Sequence, residues 1–165
     1  NSLIRFLIFR DLIIKSSKKS IYGFDVFGKF PKQKIKEDNI FAKRHNENIG
    51  KGIELNKLYL NLKKKFKNFS LIKGNVEETI QSFLNKKPKF KISLLHLDLD
   101  VYEPTKFVLE KLYNKVSKGG IILIDDYGQV PGATKATNNF FKEKKIKLKI
   151  KTLDFDKRLK FIEKK

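Results

Sequence analysis

Apolar positions in this chain recur at two periods, and the period keeps switching. Behind Ser2, which can cap a first turn, Leu3, Phe6, Leu7 and Ile14 recur at helical spacing, so the chain is predicted to open with a helix. Residues 16–20 (SSKKS) read as a polar turn. Residues 21–27 (IYGFDVF) read as a short buried strand carrying Asp25 near its carboxyl end. From 28 to 52, Gly, Pro and mixed charges leave no sustained period, which predicts a long loop of the kind that serves as a lid or stays disordered. Helical spacing returns over 53–66 through Leu55, Leu58, Tyr59, Leu62 and Phe66, with Lys63, Lys64 and Lys65 on a solvated face. A strand over 69–76 closes on Gly74-Asn75. The helix EETIQSFLNKK comes next, with acids placed at the positive end of its dipole.

The best-formed stretch is 92–128, ISLLHLDLDVYEPTKFVLEKLYNKVSKGGIILIDDYG: two apolar strands joined by a helix over 104–117, each strand ending in paired aspartates. Strand alternation would put Ile92, Leu94, His96, Asp98 and Asp100 on one face. A crossover helix lays the second run, 120–124, parallel to the first. Asp98, Asp100, Asp125 and Asp126 then converge at the carboxyl ends of neighbouring strands, where open α/β sheets bind their ligands. Beyond Pro131-Gly132, a helix over 133–145 turns Ala136, Phe140 and Phe141 inward. In the tail, Lys147, Lys149 and Lys151 alternate with Leu148, Ile150 and Thr152, the pattern of a protected edge strand. A turn over 153–156 leads into 158–162 and closes an antiparallel hairpin. The order predicts one domain, a three-layer α/β fold with a mostly parallel sheet and that C-terminal hairpin, without repeats.

Composition narrows the picture. At 165 residues and 40% apolar, with 15 Phe, the chain is long enough for one domain with a real core. The formal charge of +20 raises the question of a nucleic-acid partner, but lysine is spread throughout and no nucleic-acid motif accompanies it; a solvated coat is the simpler reading. Absence of Cys removes disulfides and thiolate chemistry and fits a reducing, cytoplasmic setting. Two His leave little for a multi-histidine metal site. The segment SLIRFLIFRDLII holds Arg5, Arg10 and Asp11, is too short and charged to span a bilayer and lacks a signal-peptide cleavage site. The first residue is Asn and Met is absent, so an incomplete or trimmed N-terminus is expected.

Four carboxylates gathered in one place must share protons or hold a cation. Oxygen-only ligands without His or Cys suit a hard divalent ion such as Mg2+, which can lower the pKa of a bound hydroxyl while a neighbouring carboxylate takes its proton. Asp25, ending an early strand, is placed to accept from ribose hydroxyls or simply to hold a turn. Asn75 can read an adenine edge or cap the helix after it. LLHLDLD also resembles the DxD of haloacid-dehalogenase-type, Mg2+-dependent phosphatases, although Val101-Tyr102 stands where Gly-Thr is expected. A glycosyltransferase DxD fits less well, and a basic, non-enzymatic nucleic-acid-binding module ranks last.

Taken together, IYGFDVFGKFP, KGNVEET, LLHLDLDVYEPTK, GGIILIDDYG and PGATKATNNFF resemble the macrocin O-methyltransferase family, S-adenosylmethionine-dependent enzymes that methylate sugar hydroxyls of natural products and glycans. The resemblance covers nearly the whole chain and is most specific at the two aspartate motifs and GATKA. It implies a Rossmann-like class I methyltransferase fold and Mg2+-dependent transfer. By that resemblance Asp98, Asp125 and Asp126 would ligate the metal and Asp100 would be the general base. Asp25 would hold the cofactor ribose, Asn75 and Val76 would border the adenine, and Ser2 would be the remnant of the cofactor loop. The partner implied is a small sugar or glycoside, with no specific nucleic acid and no membrane span; a homo-oligomer stays open. Such enzymes begin with a central strand and a glycine-rich turn, whereas NSLIRF resembles the segment directly after that turn. The expectation is a sheet without its middle member, completed by a longer chain or another one.

Overall fold

The computed structural model describes residues 2–13, 18–48, 52–154, 156 and 159–165. The chain opens with helix α1 (Ser2–Ile13), which already includes Ser2 as a helical residue; Ile14, expected on its inner stripe, lies outside the described residues. The side chain of Leu3 lies against Gly23, Phe6 meets His96 edge-on at 5.2 Å, and Leu7 is fully buried. Strand β1 (Ile21–Asp25) ends on its acid and pairs in parallel with β2 (Phe69–Lys73), from Ile21 opposite Phe69 to Asp25 opposite Lys73. Arg10 ties α1 to this pair: its guanidinium donates to the carbonyls of Lys67 and Asn68, each at 2.8 Å.

The expected long loop is corrected in its middle. Residues Lys36–Asn48 form helix α2, with Glu37 and Asp38 in its first turn and Ala42 buried. Its sequence is too polar to announce a helix, and side-chain contacts supply what periodicity lacks. Asn46 holds both N–H and carbonyl of Phe30, at 2.7 and 3.0 Å, and Phe30 packs against Phe41 and His45. Helix α3 (Leu55–Lys63) comes next, burying Leu62. Val76, expected at the end of a strand, opens helix α4 (Val76–Lys86) instead, because Asn75 Oδ1 accepts from Glu77 N–H and caps it.

Strand β3 (Ile92–Leu97) is shorter than expected, and its alternation is interrupted. Ile92, Leu95 and Leu97 are buried, while Leu94 is 44% exposed, so the face predicted for Ile92, Leu94 and His96 is not one continuous face. Its parallel partner β4 (Val116–Ile124) carries a bulge: Ile92 faces Val116 but Leu94 faces Ile121, so the four residues Ser117–Gly120 oppose Ser93 alone and three of them are surplus to the ladder. Gly120 makes this bulge pack, since a Cβ there would sit 2.8 Å from both Ser117 O and Val116 Cγ1. Thus β4 begins at Val116, well before the expected Gly120. The crossover is helix α5 (Tyr102–Leu112) plus a 3-10 turn (Tyr113–Lys115). Helix α6 (Pro131–Glu143) buries Ala136, Phe140 and Phe141 as expected and packs on α5.

The tail gives β5 (Lys151–Thr152) and β6 (Lys160–Glu163), an antiparallel hairpin whose inner strand pairs antiparallel with β4. Lys147 and Lys149 are exposed while Ile146, Leu148 and Ile150 pack on the core, as the alternation predicts, although only Lys151 and Thr152 pair. Arg158 in the expected second strand lies outside the described residues. The fold is α/β and Rossmann-like, but among the described residues its strands form two sheets, β1-β2 and β3-β4-β6-β5. The division falls between β1 and β3, where the resemblance puts a first strand. No helix among the described residues is long and apolar enough to cross a membrane.

Candidate active site

The four aspartates stand just beyond the ends of β3 and β4. Backbone pairing continues past the strands, with Asp125 N–H donating to Leu97 O at 3.0 Å, so both acidic segments leave the sheet together. Val101 N–H then closes a tight turn onto Leu99 O at 2.6 Å, and Asp100 at its centre has φ +61°. A non-glycine residue adopts this left-handed conformation only at a cost, and such strain concentrates at working sites. The turn is pinned from behind, where Asp100 O accepts from Ala133 N–H at 3.1 Å. Strand alternation therefore does not orient Asp98 and Asp100; the turn does.

Electrostatically the acids form two linked groups. Atoms of Asp98 and Asp125 that can ligate a metal lie within 4.8 Å of each other and of a His96 ring nitrogen. Asp98 keeps access to solvent, yet the protein crowding around it, followed by the Asp125 charge, raises its pKa. Asp25 also acts on Asp98, which brings the end of β1 near this group. Burial lowers the pKa of His96, against the pull of Asp98 and Asp125, so the imidazole is neutral and able to ligate. In the second group, Asp100 and Asp126 lie close enough to act on each other's titration. Burial first, then the neighbouring carboxylates, push Asp100 to about 6 and Asp126 to about 7. The pair therefore shares a proton near neutrality. Asp126 Oδ2 is buried without a hydrogen-bond partner in the protein.

These are the marks of a site built around something positive. A carboxylate oxygen removed from water and left unpaired costs free energy that a cation would offset. The donors present, carboxylates and one neutral imidazole, fit a divalent ion of the Mg2+ or Mn2+ type. The structure thus brings together Asp98, Asp100, Asp125 and Asp126 and adds His96, for which the strand pattern suggests only a structural role. The other candidates lie on the neighbouring sheet. Asp25 accepts from Phe27 N–H at 2.5 Å at the tip of β1, Asn75 is engaged as a helix cap, Val76 is half-buried behind it, and Ser2 is in the first turn of α1.

An open depression of about 410 Å³ is lined by Gln129, Thr134, Lys135, Asn138 and Asn139, and Gln129 Nε2 donates to Asp125 O at 3.2 Å. Tyr127 OH donates to Asn138 Oδ1 at 2.9 Å, and Asn139 Nδ2 donates to Tyr102 OH at 3.0 Å. Sequence reasoning missed these groups. The signal was present, since residues 135, 138 and 139 form a polar stripe at helical spacing opposite Ala136, Phe140 and Phe141. Asp38 was missed as well. It is 5% exposed and accepts from Tyr102 N–H at 2.7 Å.

Comparison with known proteins agrees with this architecture. The model of the macrocin-O-methyltransferase (TylF) family matches residues 9–158. Demethyldecarbamoylnovobiocin O-methyltransferase of Streptomyces niveus is 31% identical over 98 residues, 58% of this chain and 37% of that protein. The solved structure of the O-methyltransferase NovP superposes with a TM-score of 0.75 at 23% identity, over 93% of this chain and 63% of that one. CalS11, a calicheamicin methyltransferase, gives 0.71 at 21% identity, over 98% of this chain and 66% of that one. The chain therefore spans less than two thirds of the length of these relatives.

Proposed function

Because the chain belongs to the macrocin-O-methyltransferase family, we propose that the protein containing it transfers a methyl group from S-adenosylmethionine to a sugar hydroxyl, assisted by a divalent cation. The observation that carries the reading is the convergence of Asp98, Asp100, Asp125 and Asp126, with raised pKa values and one orphaned oxygen, at the ends of β3 and β4. Asp98, Asp125 and Asp126 would hold Mg2+, and His96 stands close enough to Asp98 and Asp125 to join those two. When bound, the ion would orient the acceptor hydroxyl and make it more acidic.

Asp100 is the general base. A carboxylate whose pKa is raised to about 6 is a stronger proton acceptor than an ordinary aspartate and is still largely ionised at neutral pH. The strained turn holds it in place before substrate arrives, so little reorganisation is needed at the moment of transfer. With the cofactor bound, its sulfonium would give up the methyl group to the hydroxyl oxygen, and Asp100 would take the hydroxyl proton. On the other sheet, Asp25 accepts from the cofactor ribose, and Asn75 and Val76 border its adenine. Ser2, at the start of α1, would border the methionine end. The depression with Lys135, Asn138 and Asn139 receives the acceptor, its amides and hydroxyls matching a polyol.

The division of the sheet supports a further strand between β1 and β3, supplied by a longer chain or by a partner. CalS11 is described as a TDP-rhamnose 3'-O-methyltransferase, so sugar nucleotides and glycosides are the acceptors to try first. The test is transfer of labelled methyl from S-adenosylmethionine to such a panel by the full-length protein, with and without EDTA. Labelled sugar that vanishes with EDTA is expected. Transfer unaffected by EDTA would remove the metal, and cofactor binding without transfer to any sugar would remove the acceptor class.

A further inference from the structure

The segment between β1 and α3 has no role that its sequence pattern assigns, yet its most buried acid is wired to the site. Asp38 sits in the first turn of α2, 5% exposed, and its Oδ2 accepts from Tyr102 N–H at 2.7 Å. Tyr102 is the first residue of α5, and its N-cap residue Val101 contributes no capping side chain. A carboxylate from a distant helix thus supplies the acceptor that α5 lacks locally, at the end of the dipole that favours negative charge.

The contact lies close behind Asp100. A Cβ on Gly132 would overlap Asp38 Oδ1 and stand 3.0 Å from Tyr102 N and 3.2 Å from Asp100 O. Asp100 O in turn accepts from Ala133 N–H. Four segments therefore meet at one buried point: α2 through Asp38, the turn carrying Asp98 and Asp100, the start of α5, and the start of α6. Gly132 is glycine because the carboxylate occupies the space a side chain would need.

We propose that Asp38 is a positioning residue, clamping α2 onto the turn that carries Asp100 just beyond Asp98, so that the placing of α2 and the geometry of the carboxylates are set together. The clamp rests on the proposed metal-assisted reading only for what the carboxylates do; the mechanical tie stands apart from it. Because α2 and the turn share one buried contact, ordering either one favours the other.

The experiment compares wild type, Asp38→Ala and Asp38→Asn in the full-length protein by hydrogen exchange and by calorimetric titration with Mg2+ alone. Asp38→Ala is expected to speed exchange about ten-fold in both 36–48 and 98–106 while leaving 69–73 as it was, and to weaken Mg2+ binding about five- to ten-fold. Asp38→Asn keeps an acceptor oxygen and should recover most of both. Should Asp38→Ala fail to fold, Gly132→Ala perturbs the same point from α6 and is expected to act in the same direction. Faster exchange confined to 36–48, with 98–106 and Mg2+ affinity unchanged, would overturn the clamp, as would no change anywhere. If wild type binds no Mg2+, the metal reading fails, and exchange over 98–106 still decides the clamp.

Discussion

The two sheets differ in how much of their own apolar surface they cover. Around β3-β4-β6-β5, one contiguous core gathers Leu95, Leu97, Leu109, Ile122, Ile124, Phe140 and Phe141, with Ile80 of α4 buried in it and Phe24, Val76 and Leu84 packed at its margin. Around β1-β2, the helices bury little beyond Leu7 and Leu62 and leave Phe9 57%, Leu12 70%, Ile13 77% and Leu60 59% exposed. Helix α1 spreads its apolar residues around its circumference between Arg5, Arg10 and Asp11, so only part of them can face the small sheet. The larger sheet is a finished unit carrying the acids. The smaller one is held by edge contacts, Arg10 on carbonyls and Tyr22, Phe83 and Phe90 ring to ring, and carries the groups proposed for the cofactor. Chemistry and cofactor binding should therefore separate on mutation, and so should stability.

The sharpest separation is expected from Asp100→Asn in the full-length enzyme. The turnover rate should fall about 10²–10⁴-fold, the range for loss of a general base. Cofactor affinity, set on the other sheet, should stay within about two-fold. An unchanged rate would strip Asp100 of its role. Next in size, Phe140→Ala empties a site 1% exposed and should cost about 3–5 kcal/mol by denaturant unfolding. Leu60→Ala on the exposed side of α3 should stay within about 0.5 kcal/mol. Equal costs would mean that the smaller sheet already has its cover.

Smaller still is a pH effect confined to the acid-bearing half. Asp100 and Asp126 have folded pKa values of about 6 and about 7, above the ordinary 3.8, so the native state binds protons more tightly than the unfolded one. Their contribution to stability is fully present below pH 3.8 and is lost as pH rises through about 6 to 7. In metal-free protein the difference in Tm between wild type and Asp126→Asn should change by about 2–4 °C between about pH 4 and pH 8, to the disadvantage of wild type. Mg2+ should reverse it. A difference independent of pH would mean that the pair shares no proton. The smallest effect is on the cofactor side. Asn75→Ala removes the α4 cap and should cost about 1 kcal/mol, with cofactor affinity reporting separately on the adenine contact.

Legibility tracked the reach of the interactions. The crossover from β3 to β4, the inward face of α6 and the lysine edge were readable because each depends on residues near in sequence and on burial of one face. Helix α2 was not, because Asp38, Asn46 and Phe30 stabilise it through contacts that no periodicity encodes. The bulge in β4 escaped for a related reason: surplus residues looped out of that strand shift the register between Leu94 and its partner.

By itself the sequence determined the parallel α/β order and the presence of paired aspartates after two strands, since hydrophobic period and residue type suffice for both. Only the tertiary structure decided that Asp100 and Asp126 act on each other while Asp98 and Asp125 group with His96, and that Asp38 closes α5 from a distant helix. It alone decided, too, that the sheet divides between β1 and β3. The physical reason is shared: proton sharing, desolvation and backbone pairing depend on distances of a few ångströms between segments far apart in the chain, and side-chain pattern carries no record of those distances.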